Sequence, residues 1–163
     1  MGAFHLLALE DNEEYQKVLR SMLSKYPGRS RLDVDIISGV TTFEALVASD
    51  DRIDIFITDI DLGEGNPSGI DLVRRYFPAG SPTKVIYISG HVEFCTSVYQ
   101  TEHTYFLLKP INQSDFDAAL DKALTILNNS YLAGGKYRGM LEGGGKKTSF
   151  DAALDVSSTP DVT

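Results

Sequence analysis

The chain has 163 residues and a net charge of −8, with 15 Lys and Arg residues against 23 Asp and Glu residues. This length predicts one domain of ordinary size, and the acidic balance argues against a general nucleic-acid binder, which needs a basic face. A single cysteine, Cys95, excludes an intramolecular disulfide framework. No apolar run approaches the roughly 20 residues of a membrane span, and no signal peptide is visible. We therefore expect a cytoplasmic protein.

Short apolar runs alternate with amphipathic stretches along the chain. Each run rich in β-branched or aromatic side chains predicts a strand, and each stretch with apolar residues at three- and four-residue steps predicts a helix. The strands are predicted at residues 5–9, 32–37, 53–58, 84–88 and 105–108. The helices are predicted around residues 15–26, 43–47, 70–77, 92–99 and 116–127.

These five repeats of strand and helix predict an α/β fold, (βα)5, with a doubly wound parallel sheet, because each connection is long enough for a right-handed crossover. The second strand alternates acidic with apolar residues, which is typical of a half-exposed or edge strand. Asn112 and Ser114 are the candidate N-caps of the last helix, and Ser114 to Asp117 has the spacing of a capping box. Tyr15 recurs with the apolar residues of the first helix, so we expect it to lie in the core or at its edge.

The composition changes after residue 129. Residues 130–163 contain six of the 14 glycines, and residues 157–160 have the composition of an unstructured segment. We therefore predict one domain over residues 1–129, followed by a glycine-rich tail or linker remnant over residues 130–163.

Polar side chains stand where four of the predicted strands end. Glu10 and Asp11 follow the first strand, Asp59 the third, Ser89 the fourth and Lys109 the fifth. The carboxyl ends of parallel strands share one edge of the sheet, where ligands bind in open α/β folds, so these side chains are expected to converge. Each alone has a simpler explanation, such as a helix cap or a turn residue, but the four positions together favour a binding site.

Such a cluster needs a cation and an anion for charge balance. Two carboxylates about 4 Å apart repel by about 4 kcal/mol at an effective dielectric constant of 20. Mg²⁺ would relieve this repulsion, since it prefers oxygen ligands and is typically held by one or two carboxylates together with phosphate oxygens. With the metal and Lys109 both present, the site could also accept an anion, and a phosphoryl group would meet that need.

The sequence resembles the receiver domains of bacterial two-component response regulators. The matching segments are residues 9–11, 57–62, 88–90 and 106–111. The last of them, Phe-Leu-Leu-Lys-Pro-Ile, is similar to receivers of the LytR/AlgR group of transcription factors. The resemblance covers about residues 4–128. It implies a flavodoxin-like sheet of five strands in the order 2-1-3-4-5, with helices on both faces.

The resemblance also implies roles for the residues at the strand ends. Asp59 would accept a phosphoryl group from a sensor histidine kinase or a phosphotransfer protein, while Ser89 and Lys109 would bind phosphoryl oxygens. Accepting and losing this phosphoryl group would be the only chemistry of the chain. We therefore expect that it is not an enzyme. Mg²⁺ would be the cofactor, and its ligands would be Glu10, Asp11, Asp59 and Asp61, the last through its backbone carbonyl.

Ser89 and Phe106 would be the switch residues in such a receiver. Their movement would reshape the face formed by helix four, strand five and helix five, through which a homodimer is plausible. The loop at residues 62–69 departs from the usual pattern, because it is about two residues longer and has Gly63 where proline is common.

Two other functions remain open from the sequence. Asp59 and Asp61 also resemble the paired aspartates of haloacid-dehalogenase-type phosphatases, although that family carries the pair on its first strand. A receiver that no longer takes phosphate would act as an adaptor. LytR/AlgR-type proteins regulate transcription through a DNA-binding domain after the receiver, for which the 34 residues at 130–163 are too few. We therefore expect no membrane or nucleic-acid binding by this chain alone.

Overall fold

The structure, a computed structural model, describes residues 3–49 and 52–143, with side chains described as far as Leu132. In this part the strands are β1 (Phe4–Leu9), β2 (Leu32–Ile37), β3 (Ile55–Asp59), β4 (Lys84–Ser89) and β5 (Tyr105–Leu108). The α-helices are α1 (Glu13–Lys25), α2 (Val40–Ala48), α3 (Gly69–Tyr76), α4 (Phe94–Ser97) and α5 (Gln113–Gly143). Short 3-10 turns lie at Arg29–Arg31 and Val98–Gln100.

The strands form one parallel sheet in the order β2-β1-β3-β4-β5. The predicted α/β fold with a five-stranded doubly wound sheet of order 2-1-3-4-5 is therefore confirmed. Strand β2 lies at one edge, as its alternation of acidic and apolar residues predicts. Strand β3 is central and all five of its residues are buried, so the sheet holds Asp59 at a rigid position.

Aromatic side chains fill the core beside the central strand. The rings of Phe43 on α2 and Phe56 on β3 stack with their centroids 4.8 Å apart, and Phe77 packs against Phe56 at 5.2 Å. All three are buried, and burying a side chain of this size contributes about 1.5–3 kcal/mol to stability. The core thus anchors the amino-terminal half of β3, whose other end carries Asp59.

Helix α5 begins at one of the two N-cap residues that the sequence predicts. The Asn112 side chain accepts a hydrogen bond from the Asp115 N–H at 2.8 Å and donates one to the Asp115 carboxylate at 3.1 Å. Asn112 is therefore the N-cap, and the predicted capping box from Ser114 to Asp117 is wrong. The helix already begins at Gln113, so Ser114 lies within its first turn and is not the residue that precedes it.

The same helix continues beyond the predicted domain end at residue 129, since α5 extends to Gly143. The chain divides after Ala123 into two compact units, and the described part of the second unit is the remainder of α5. The boundary at residue 129 stays a prediction, and the segment at residues 157–160 lies outside the described residues.

Helix α4 is much shorter than the predicted span of residues 92–99. No side chain caps its start at Glu93, and the residues that follow include Cys, Thr, Ser and Val, which are weak helix formers. The chain tightens into the 3-10 turn Val98–Gln100 instead. Within residues 3–49 and 52–143, none of the helices combines the length and apolar composition that crossing a membrane requires.

Candidate functional site

The carboxyl ends of β1, β3 and β5 bring three predicted site residues into contact. The Lys109 Nζ atom lies 3.0 Å from Asp59 Oδ2 and 3.1 Å from Glu10 Oε1. Asp11 joins this group, because one carboxylate oxygen from each of Glu10, Asp11 and Asp59 lies within 4.8 Å of the others. The parallel sheet places these residues together although they are up to 99 positions apart in the sequence.

Glu10 is the most deeply buried of the three acids. Its side chain is inaccessible to solvent, Asp59 is nearly so, and Asp11 is exposed. Burial and the neighbouring charge of Asp59 raise the pKa of Glu10 from 4.5 to about 7. The opposing effects, a hydrogen bond from the Asn12 N–H and the charge of Lys109, are smaller. The folded protein therefore disfavours a second negative charge beside Asp59.

Lys109 supplies the positive charge of the site. Burial lowers the pKa of its ammonium group, but the charges of Asp59 and Glu10 outweigh burial, so the pKa is raised above its ordinary value. Its backbone N–H donates to the Ser89 carbonyl at 2.8 Å, which fixes the end of β5 against β4. Lys109 is thus a permanently charged group held by both its backbone and its side chain.

The donor set fits a magnesium ion. Glu10 Oε1 is buried and accepts no hydrogen bond, since Lys109 Nζ is close to it but not in hydrogen-bonding direction. A buried carboxylate oxygen that has an ion-pair contact but no directed hydrogen bond keeps lone pairs with which it can coordinate a metal ion. Three carboxylates offer only oxygen ligands, and Mg²⁺ prefers oxygen ligands.

Asp61 lies beside this cluster, but its carboxylate is not part of it. The side chain is exposed and accepts a hydrogen bond from the Gly63 N–H at 3.1 Å. Its backbone N–H donates to Asp59 Oδ1 at 3.3 Å. Gly63 has a φ of 97°, which proline cannot adopt because its ring holds φ near −65°. This backbone conformation explains the glycine where the resembling family commonly has proline.

Gly69 closes the same loop against the strand that carries Asp59. Its backbone N–H donates to the Ile60 carbonyl at 2.8 Å. A Cβ atom at Gly69 would lie only 2.4 Å from the Asp59 carbonyl oxygen, so this position needs glycine. Helix α3 begins at Gly69 itself, with a capping box between Ser68 and Asp71.

Ser89 lies at the end of β4, on the neighbouring strand to Asp59. It is fully buried, and its Oγ atom accepts a hydrogen bond from the His91 N–H at 3.0 Å. A cavity of about 290 Å³ opens at this edge of the sheet. Residues on four strand ends line it, among them Asp11, Asp59, Asp61, Gly90, His91 and Lys109. The arrangement places carboxylates and an ammonium group together in one cavity.

Residues 6–121 match the family described as the response regulator receiver domain. The matched segment is more than half of the chain and includes every residue at the strand ends. The chain belongs to the response regulator receiver family. This match favours the receiver over the haloacid-dehalogenase alternative. No curated protein matches the sequence closely enough to count as a relative.

Solved receiver structures share the fold of this receiver. The signal receiver domain of an HD domain-containing protein from Pseudomonas fluorescens Pf-5 has a TM-score of 0.68 and 19% identity, covering 80% of this chain and 93% of that one. A response regulator receiver domain protein from Clostridium thermocellum has a TM-score of 0.62 and 20% identity, and the match covers 80% of this chain and 98% of that one. The chemotaxis response regulator CheY4 of Vibrio cholerae has a TM-score of 0.58 and 18% identity, and the match covers 74% of this chain and 98% of that one. At these identities the likeness establishes the fold alone.

The acidic cluster is where receivers generally bind Mg²⁺. The predicted switch residue Phe106 lies on the edge strand β5, half-buried, and packs against the core cluster of the receiver. The structure brings Glu10, Asp11, Asp59 and Lys109 together at this edge of the sheet, with Asp61 and Ser89 beside them. The roles of these residues and of Phe106 remain predictions.

Tyr15 is a residue of the receiver site that the sequence analysis missed. It lies in the first turn of α1, is half-buried, and contacts Lys109 and Ile111 rather than only the core. The recurrence of apolar residues predicted a place in the core or at its edge and indicated no contact with Lys109. One signal could have indicated its contact with Lys109. The first turn of the helix after β1 lies at the same sheet edge as Lys109.

Proposed function

We propose that this chain is a phosphorylation-controlled switch of a two-component system, in which Asp59 accepts a phosphoryl group from a histidine of a sensor kinase or phosphotransfer protein. The observation that carries the proposal is the contact between Asp59 Oδ2 and Lys109 Nζ at 3.0 Å, inside the acidic cluster with Glu10 and Asp11. A carboxylate between an ammonium group and a cation site is suited to receive a strongly negative group.

The proposed transfer is a displacement at phosphorus. A carboxylate oxygen of Asp59 attacks the phosphorus atom, the bond from phosphorus to the imidazole nitrogen breaks, and its electron pair stays on that nitrogen, which takes up a proton. Lys109 neutralises a phosphoryl oxygen and the Ser89 hydroxyl donates to another. Phosphoryl transfer needs positioning and charge neutralisation more than covalent help, so we propose no enzymatic activity beyond accepting and losing this group.

The proposed cofactor is Mg²⁺. The carboxylates of Glu10, Asp11 and Asp59, with the backbone carbonyl of Asp61, would hold it. When bound, the ion would neutralise negative charge on the phosphoryl oxygens. The Glu10 Oε1 atom supports this assignment, because it lies buried beside Lys109 Nζ without a directed hydrogen bond and can still coordinate an ion.

The proposed output is a change of surface. The Ser89 hydroxyl, which donates to the His91 carbonyl at 3.5 Å, would donate to a phosphoryl oxygen instead. The Phe106 ring would turn inward, reshaping the face of α4, β5 and the Gln113–Ala123 part of α5. Tyr99, in the 3-10 turn that follows α4, is 80% exposed, and Leu108 on β5 is 45% exposed, which supports homodimerisation there.

The segment at residues 106–111 supports a proposed place in the LytR/AlgR group, with regulation of transcription as the final output. The net charge of −8 supports the proposal that this chain does not itself bind nucleic acid. We also propose a cytoplasmic location, because the sensor kinases of two-component systems present their phosphohistidine there.

The test is incubation with acetyl phosphate and Mg²⁺, followed by intact-mass measurement. We expect one added phosphoryl group on the wild type and none on Asp59→Ala. The matched control is Glu64→Gln, an exposed carboxylate on the adjoining loop, which should label like the wild type. Labelling of Asp59→Ala, or steady turnover of unrelated phosphomonoesters, would overturn the proposal.

A further inference from the structure

Tyr15 connects the first turn of α1 to the loop that carries Lys109. Its ring centroid lies 4.2 Å from the Lys109 Nζ atom. Its hydroxyl oxygen accepts a hydrogen bond from the Ile111 N–H at 3.0 Å, across 96 positions of sequence. One side chain therefore contacts both the charged end of Lys109 and the backbone two residues after it.

Tyr15 is itself held by the acidic end of β1. The Asn12 side chain caps α1 by accepting the Tyr15 N–H at 2.8 Å. The backbone N–H of Asn12 in turn donates to Glu10 Oε2 at 3.0 Å. The acidic group and the aromatic ring thus belong to one hydrogen-bonded segment, so their relative positions are fixed locally.

The Lys109 ammonium group has three neighbours, two carboxylates and one aromatic ring. Asp59 and Glu10 approach it with carboxylate oxygens, and Tyr15 approaches it with the face of its ring. An aromatic face attracts a cation through its quadrupole and carries no net charge. The ring can therefore hold the ammonium group in place without competing for it as a third carboxylate would, and it occupies space that water would otherwise fill.

The backbone around Lys109 is fixed on both sides. The Lys109 N–H donates to the Ser89 carbonyl at 2.8 Å, and the Ile111 N–H donates to the Tyr15 hydroxyl. A lysine side chain has a long flexible stem, and holding its ammonium group at one point costs rotamer entropy. Restricting both the backbone and the ammonium group raises the fraction of molecules in which the charge lies beside Asp59.

We propose that Tyr15 is a positioning residue for Lys109, and this inference rests on the proposed phosphoacceptor function. The ring holds the ammonium group toward Asp59, and the hydroxyl holds the loop that carries it. Tyr15 does not touch the phosphoryl group. It acts by increasing the occupancy of the Lys109 position that neutralises the charge developing during phosphoryl transfer.

Two variants separate the two contacts. Tyr15→Phe keeps the ring and removes the hydroxyl, whereas Tyr15→Leu removes both and keeps an apolar side chain that favours helix. The matched control is Tyr76→Phe, which removes another half-buried tyrosine hydroxyl, bonded to Glu44 at 2.9 Å and outside the site. The rate of labelling by acetyl phosphate at saturating Mg²⁺ is measured for each by intact mass.

We expect Tyr15→Leu to be labelled about tenfold more slowly than the wild type, the size of effect a partly desolvated cation–π contact gives. Tyr15→Phe should recover most of that loss, and Tyr76→Phe should match the wild type. Rescue by phenylalanine is the outcome that a merely structural hydroxyl would not produce. A wild-type rate in Tyr15→Leu, or equal losses in both Tyr15 variants, would overturn the inference.

A spectroscopic measurement decides the inference even where a variant folds poorly. In protein labelled at lysine with ¹³C, the ring should shift the Lys109 ε-proton resonances upfield in the wild type and in Tyr15→Phe, but not in Tyr15→Leu. The Ile111 amide resonance should move in both variants. Absence of the upfield shift in the wild type and Tyr15→Phe would refute the ring contact. If the wild type accepts no phosphate, the proposed function fails, and this signal still reports on Tyr15 separately.

Discussion

Glu10 Oε1 lies 3.1 Å from Lys109 Nζ in the interior of the protein, and it accepts no hydrogen bond there. An ion pair alone compensates a buried carboxylate poorly, because desolvation removes the water that solvated both oxygens. This environment, together with the charge of Asp59, raises the pKa of Glu10 to about 7. The buried pair is therefore sensitive to pH and to metal.

The first prediction concerns pH in the absence of divalent cations. A carboxyl whose pKa is higher in the folded state binds its proton more tightly when folded, so protonation stabilises the fold. This stabilisation is complete below pH 4.5 and is lost as the pH rises through about 7. We expect the free energy of unfolding, measured by urea denaturation in EDTA, to fall across this range.

Glu10→Gln is the control for that prediction, since glutamine has the shape of the protonated acid and does not titrate. His5 also contributes in the wild type: burial lowers the pKa of its ring, but hydrogen bonds to the Arg52 carbonyl and Asp35 outweigh burial and raise it. The contribution of His5 also lowers the free energy of unfolding as the pH rises, and it is present in both the wild type and Glu10→Gln. Equal pH dependence in the wild type and Glu10→Gln would show that Glu10 does not carry the effect.

The second prediction concerns the metal. Binding to the folded state alone stabilises it by about 2.7 kcal/mol at a metal concentration 100 times the dissociation constant. Thermal melting with and without Mg²⁺ should show a stabilisation in the wild type and none in Asp11→Ala. Asp61→Asn should keep most of the gain, because the proposed ligand there is the backbone carbonyl. A gain in Asp11→Ala equal to that of the wild type would contradict the proposed ligand set.

The third prediction concerns Gly69. An alanine there would place its Cβ atom 2.4 Å from the Asp59 carbonyl oxygen, so the loop or the end of β3 must move. We expect a destabilisation of about 1–3 kcal/mol, as for other overpacked sites, and slower labelling of Asp59 by acetyl phosphate. Gly39→Ala is the comparison, since a Cβ atom there has no neighbour within 4 Å. Similar effects of the two substitutions would refute the steric argument.

The fourth prediction concerns stability far from the site. The Tyr26 hydroxyl, at the end of α1, donates to the Asp121 carboxylate on α5 at 2.6 Å. Burial and this hydrogen bond raise the pKa of Tyr26. Tyr26→Phe should lower the free energy of unfolding by about 1.5–3 kcal/mol, the value of a hydrogen bond to a charged group. The exposed Tyr99→Phe should change it by less than about 0.5 kcal/mol in the same urea titration.

The sequence predicts the architecture and the position of the site because both depend on repeating patterns. Apolar runs define the strands, the alternation of strand and helix predicts a parallel sheet, and a parallel sheet brings the strand ends to one edge. Glu10, Asp59 and Lys109 lie in contact for this reason alone. No pairwise information was needed to expect them together.

Contacts made by single side chains were less predictable. Tyr15 has the spacing of a core residue, and only the path of a loop 96 positions later gives it Ile111 and Lys109 as neighbours. The cap of α5 is a choice between two similar polar residues, which side-chain geometry decides in favour of Asn112. Helix α4 lacks both a cap and strong helix formers, so its extent depends on packing rather than on pattern.

The two edges of the sheet bear on aggregation. An uncovered edge strand exposes unpaired backbone groups to which a strand of another molecule can add. Strand β2 presents exposed Asp33 and Asp35 at one edge, and β5 at the other has only four residues before Lys109 and Pro110. Proline lacks the N–H that an added strand would need. Both edges thus disfavour growth of the sheet into fibres, and copies of this chain that associate should do so through side-chain surfaces.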